Sequence, residues 1–176
     1  SGGSSYSWNG PSGFNDNTQN PTTFSAISTN QGGIYSVSVT SANGCTASAT
    51  TSVQVISSPN AQAGATPSSV CLGSTINLTS SGGSSYSWNG PSSFSNNTQN
   101  PSPFSAISTN QGGIYSVSVT VGSCTASATT SVEVKASPTA VAGTSTPSVC
   151  VGGAITLTSS GGSSYSWNGP SGFNDN

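Results

Sequence analysis

The sequence predicts an all-β chain of tandem antiparallel β-sandwich domains, repeating roughly every 80 residues. Three observations carry that reading. Apolar residues are sparse but alternate with Ser and Thr over short runs, the period of a half-buried strand. Asn-Gly, Gly-Gly and Pro clusters punctuate the runs and mark turns. The segment SGGSSYSWNGP recurs, beginning at Ser1, Ser81 and Ser160, and no helical period lies between the copies.

The elements of one repeat follow in order. Thr75-Ile76-Asn77-Leu78-Thr79 puts Ile76 and Leu78 on one strand face. Ser85-Tyr86-Ser87-Trp88 does the same for Tyr86 and Trp88, and the glycines of Gly82-Gly83 and Asn89-Gly90-Pro91 read as turns around it. Phe94 is expected to cover the core edge beneath the next loop. Phe104 and Ile107 are both expected to point inward from the following strand. Tyr115, Val117 and Val119 form the inward face of 115–120, and Ala126, Ala128, Val132 and Val134 that of 125–134. With Val70, these side chains suffice for a small domain, at about 1.5–3 kcal/mol per fully buried large residue. Trp8 and Trp167 are copies of Trp88, and Tyr35 is the copy of Tyr115; all are expected inside. About seven short strands in this length indicate a sandwich.

The repeat also divides the chain. The step from Ser1 to Ser81 is one longer than the step from Ser81 to Ser160, and the extra residue lies where SANGC at 41–45 matches VGSC at 121–124. Residues 58–136 are expected to form a complete unit, 1–57 the back part of one and 137–176 the front part of another. Residues 1–17 and 160–176 are identical, whereas 81–97 reads SGGSSYSWNGPSSFSNN. The longer period therefore runs from Ser1 to Ser160 and holds two alternating units. A stretch of a longer array is the expectation.

Composition narrows the roles. The chain has one basic residue, Lys135, and three acidic ones, Asp16, Glu133 and Asp175, with no His. One cation cannot neutralise a run of phosphates or hold an anionic membrane surface, so neither nucleic acid nor lipid headgroups are expected partners. No run of about 20 apolar residues exists to insert in a bilayer. Without His, a nucleophile–base arrangement is not expected, and the scattered carboxylates make neither a glycosidase pair nor a Ca²⁺ site. No catalytic, metal-binding or cofactor-binding residue is assigned. Asn77 and Asn96 fit the glycosylation sequon, but the other copies do not preserve it.

Certain residues resemble a known family. The Ile76/Leu78 strand, YSW at 86–88 and FSAISTNQGGIYSV at 104–117 look like an immunoglobulin-like domain. The resemblance gives Trp88 the place of the core Trp on strand C and Tyr115 that of the tyrosine-corner residue at the start of strand F. Phe104 and Ile107 match strand E. More narrowly, the pattern C-x-G-x-x-I-x-L … Y-S-W-N-G-P … N-P … G-x-Y-x-V-x-V … G-x-C resembles tandem repeats of large secreted surface proteins of the Bacteroidota, gliding-motility adhesins among them. Two departures stand out. Gln111 occupies the position usually acidic before the corner Tyr. The usual disulfide positions on strands B and F are apolar, near Leu78 and at Val117.

Cys71 and its copy Cys150 precede strand B, while Cys124 and its copy Cys45 open strand G. Their contexts, with no metal-ligand partners nearby, suggest an oxidising compartment. Three states stay open: a Cys71–Cys124 bridge within the domain, a staple between neighbouring domains, and free thiols. Strands B and F run the same way, which sets the two cysteines of one domain at opposite ends and favours the staple.

Function is expected to be structural: an extracellular or cell-surface stalk or filament whose partners are neighbouring copies of the same repeat, with lateral homo-association between uncharged strand edges. The alternative is an adhesive module binding a carbohydrate or surface. The copies differ mainly in loops, at 13–16, 22–23 and 41–44 and their counterparts, where binding specificity would reside. No such loop gathers the aromatics and carboxylates of a sugar site, so a glycan ligand is unassigned.

Overall fold

The computed structural model describes residues 3–175; Ser1, Gly2 and Asn176, the outermost letters of the repeated segment, lie outside the described residues. Among the described residues every element is a strand or a single 3₁₀ turn. The first span carries β1 (Ser5–Asn9), β2 (Asn15–Asp16), β3 (Gly33–Thr40) and β4 (Thr46–Val53). They form one antiparallel sheet in the order β2-β1-β3-β4.

The middle span carries β5 (Gln62–Thr66), β6 (Ser69–Cys71), β7 (Thr75–Ser81), β8 (Ser85–Gly90), β9 (Phe94–Asn96), β10 (Phe104–Ser105), β11 (Gly113–Val121) and β12 (Cys124–Lys135). Two sheets result, β10-β7-β5 and β6-β12-β11-β8-β9. All pairings are antiparallel except β6 with β12, which is parallel. The chain leaves one sheet after Thr66 and joins the other at Ser69. Pro67 stands between, and a residue without an N–H cannot extend a ladder.

Strand alternation fills the space between the sheets. Ile76, Trp88, Ala106, Tyr115, Val117 and Val119 are completely buried, with Val70, Leu78 and Val132 nearly so. Tyr86, Phe94, Phe104, Ala128 and Val134 pack around them, partly buried. Leu78 and Val117, at the positions where a bridge usually crosses the sandwich, meet as apolar side chains in this core. An uncharged, hydroxyl-rich outer face can be tolerated because Ser and Thr alternate outward on the same strands.

Ile107 corrects the sequence reading: it is 81% exposed, and Ala106 is the buried residue. The reason is parity. Phe104 and Ile107 are separated by an odd step, and in extended chain an odd separation puts side chains on opposite faces. Ala106 is fixed inward by two hydrogen bonds, its N–H to Ser74 O at 2.8 Å and its carbonyl from Gly73 N at 2.8 Å.

The last span has β13 (Val141–Thr144) paired with β14 (Leu157–Ser160), and β15 (Trp167–Asn168) paired with β16 (Asn174–Asp175). By sequence, β13 to β16 are counterparts of β5, β7, β8 and β9. The first span holds counterparts of β8, β9, β11 and β12. Each outer span thus carries a different share of the sandwich seen whole in the middle. Phe24 and Val53 at one end, and Ile155, Leu157 and Phe173 at the other, are accordingly exposed.

Candidate functional site

The residues singled out by sequence fall into three places: the tryptophan and its loop, the tyrosine corner, and the joint between units. Trp88 reaches across from β8, and its Nε1–H donates to Gln99 O at 3.2 Å. That loop is itself held by Ser80, on β7. Ser80 Oγ donates to Gln99 O at 2.6 Å, Ser80 N donates to Asn100 Oδ1 at 3.0 Å, and Gln99 Nε2 donates to Ser80 O at 2.9 Å. Ser80 is 7% exposed and the only buried polar residue among those described. Sequence reasoning misses its role. The one available signal is a serine where the inward alternation of Ile76 and Leu78 continues.

The copy at the start of the chain lacks this support. Trp8 occupies the equivalent place on β1, yet its Nε1 is buried without a hydrogen-bond partner. No strand of the first span carries a counterpart of Ser80, so nothing draws the loop onto the indole. Trp8, Phe14, Phe24, Tyr35, Val53 and Val55 line an open apolar groove instead. At the other end Trp167 lines a similar groove with Ile155, Leu157 and Phe173.

At the corner, Tyr115 OH donates to Gln111 O at 2.8 Å, and Tyr35 OH donates to Gln31 O at 2.7 Å. Gln111 Oε1 accepts from Ile107 N at 2.6 Å and Ser108 N at 3.0 Å, while Ser108 Oγ accepts from Asn110 N at 3.2 Å. This capping box orders the turn before β11 without a charge. Burial pushes the Tyr115 phenol above its ordinary pKa. Phe94 lies 5.0 Å from Phe104 and 5.3 Å from Tyr115, ring centre to ring centre, and so covers the core edge. Gly90 is required by contact: a Cβ there would sit 2.4 Å from the Tyr115 ring. Tyr86 closes the turn before its own strand, OH to Gly83 O at 2.8 Å.

The few charges are engaged at a strand edge. Ser69 Oγ donates to Glu133 Oε2 at 2.9 Å, and Lys135 Nζ lies 3.3 Å from the same oxygen. The serine bond first, then the lysine, hold the Glu133 carboxyl below the usual range. Thr18 does likewise for Asp16 through its hydroxyl and N–H. Among the described residues, no three His, Cys, Asp or Glu side chains gather as metal ligands would. Asn77 Nδ2, in one of the two sequons, donates to Thr66 O at 3.1 Å.

No disulfide joins any two of the four cysteines; Cys45, Cys71 and Cys150 are exposed and Cys124 is half-buried. The register corrects the intradomain alternative. Cys71 pairs with Lys135, the last residue of β12, and Cys124 is its first. At about 3.3 Å per residue the two are roughly 36 Å apart, far beyond the roughly 7 Å that a bridge allows between Cα atoms. Cys124 instead faces the segment entering from the first span. Its Sγ lies 3.7 Å from Ile56 O, and a Cβ on neighbouring Gly122 would meet Ile56 Cδ1 at 2.5 Å.

Strand order, corner tyrosine and buried tryptophan together define an immunoglobulin-like β-sandwich, present in tandem. In that fold's lettering β5 and β6 are A and A′, β7 is B, β8 and β9 are C and C′, β10 is E, and β11 and β12 are F and G. No protein family matches the sequence, and no curated protein does. Solved structures with a similar fold include the amphioxus IgVJ-C2 molecule, at 15% identity and TM-score 0.43 over 76% of this chain and 91% of that one. Murine CEACAM1b is similar at 13% identity and TM-score 0.39, over 74% of this chain and 85% of its own. The three N-terminal domains of the bacteriophage RB49 highly immunogenic outer capsid protein give 19% identity and TM-score 0.39, over 80% and 50%. These are likenesses of fold alone.

Proposed function

We propose that this chain is a length of a long extracellular array of immunoglobulin-like domains that serves as a non-catalytic stalk or filament. The observation that carries the reading is the pair of incomplete sandwiches. The first span presents C, C′, F and G strands with an open apolar face and an unpartnered Trp8 Nε1. The last span presents A, B, C and C′ strands with Ile155 and Leu157 uncovered. The first has the F and G strands that the last lacks, the last has the A and B strands that the first lacks, and the period from Ser1 to Ser160 puts the segments for the missing strands next in sequence on either side. The units are then 58–136 whole, with 1–57 and 137–176 each completed by a neighbouring stretch of the same array. The resemblance to surface-protein repeats of the Bacteroidota, adhesins of gliding motility among them, supports a place on the cell surface.

Lateral association of arrays belongs to the same reading. Ile107 and Ile114 are 81% and 66% exposed, and their copies Ile27 and Ile34 are 89% and 66% exposed. The same apolar pair thus recurs on successive units of a surface with almost no charge to repel a second copy. The test is imaging of the native fibre. A strand as long as β12 spans about 40 Å. Averaged images should therefore show an axial repeat of roughly 40 Å, doubled by the alternation of units. A fibre with no such period would remove the stalk reading. Specific binding in a glycan array would instead favour an adhesive module.

A further inference from the structure

We propose that neighbouring domains of the array are joined by a disulfide between the G-strand cysteine of one unit, Cys124, and the A′-strand cysteine of the unit before it. This rests on the array reading above. In the complete unit, A′ runs parallel to G, and Cys71 pairs with Lys135. The next residue locks that register, Leu72 N donating to Lys135 O at 3.0 Å. Aligning the repeats on Cys45 and Cys124 makes Ile56 the counterpart of Lys135. The A′ cysteine of the unit ending in β4 therefore lies one strand spacing, about 4.8 Å, from Ile56. Ile56 is the residue whose carbonyl Cys124 Sγ already touches, at 3.7 Å.

Two further features suit a bridge at that point. Val70 is buried and Cys71 exposed, so the A′ cysteine points away from its own core, as alternation requires. Gly122, at φ +58°, turns β11 into β12 with its α-carbon against Ile56. A side chain there would push the two units apart and lift Cys124 off the joint. Both cysteines thus come to Ile56, the A′ one a strand spacing away and Cys124 through its Sγ.

The chemistry is an exchange. The two thiols lose two protons and two electrons, an S–S bond forms between the cysteines, and the disulfide of an exported thiol oxidoreductase is reduced to two thiols. Because the units alternate, the pairing has a distinctive sequence signature. By the long period, the unit ahead of Cys124 carries the Cys150 sequence, PSVCVG. The Cys71 sequence, SSVCLG, then meets the Cys45 sequence, ANGCTA.

The test is mass-spectrometric peptide mapping of the native array, taken from its source with free thiols blocked and digested without reductant. Linked peptides pairing the Cys124 sequence with that of Cys150, and Cys45 with Cys71, are the expected result. Pairs of Cys71 with Cys124 or Cys45 with Cys150, pairs of like with like, or recovery of all four sequences as blocked thiols would overturn it. The array itself is read separately, from the reduced intact mass. A mass of many periods together with blocked thiols refutes the staple and keeps the stalk. A mass of a single period refutes both.

Discussion

Trp88 and Tyr115 show how much one repeat rests on two side chains. Both are fully buried, and each satisfies its polar atom on a loop carbonyl. Replacing Trp88 with Ala should destabilise the domain by about 3–5 kcal/mol, measured by chemical denaturation with intrinsic tyrosine fluorescence or circular dichroism as the signal. Tyr115→Phe keeps the ring and removes only the bond to Gln111, so its cost should be about 0.5–1.5 kcal/mol. Titration follows from the same residue. The Tyr115 phenol is raised above its ordinary 10.0 by burial, so the stability it contributes is present below about pH 10 and lost as pH rises through the folded value. Glu133 has the opposite sign. Its carboxyl is lowered from 4.5, so the stability from its Ser69 contact is present above that pH and lost as pH falls through the folded value. Because its side chain is largely exposed, it should contribute little. Unfolding temperature should therefore be flat from about pH 5 to 9 and fall above about pH 10, with Tyr115→Phe flattening the alkaline limb.

At the scale of elements, alternation is readable from sequence and its breaks are not. Strands β7, β8, β11 and β12 lie where apolar and hydroxyl residues alternate, because a sandwich strand has one wet face and one dry one. Strand E of the resembling family suggests that Phe104 and Ile107 point the same way; parity and the bonds of Ala106 to the β6–β7 turn decide otherwise. The consequence is a contrast between neighbours. Ala106→Leu should overpack the core, at about 1–3 kcal/mol, while Ile107→Ser should stay within about 0.5 kcal/mol of the parent. Thermal melts of the two variants check it, and if arrays associate laterally as proposed, sedimentation velocity of Ile107→Ser paired with Ile114→Ser should show weaker self-association than the parent chain. The switch of the first strand between sheets leaves little trace in sequence beyond Pro67. Strands β5 and β6 are short, and the partners of β6 at Glu133, Val134 and Lys135 lie at the far end of the unit. Ser80 is hidden for a related reason. Its bonds go to Gln99 and Asn100, on a loop beyond the next two strands, and no local pattern reports them.

At the scale of the whole molecule, repetition says more than any single motif. The identity of 1–17 with 160–176 gives the period, and the structure shows what the period separates: one closed sandwich between two open ones. Near absence of charge means salt should scarcely alter domain stability, since there is almost no surface field to screen. The central claim is that strands A, A′ and B from the preceding stretch close the first span. Hydrogen exchange tests it most directly, comparing the 176-residue chain with one lengthened by a copy of residues 137–159 placed before Ser1, which continues the period unbroken. Amides of β1, β3 and β4 should exchange rapidly in the shorter chain and become as protected as those of β8, β11 and β12 in the longer one. Equal exchange of β1, β3 and β4 in both chains would contradict it.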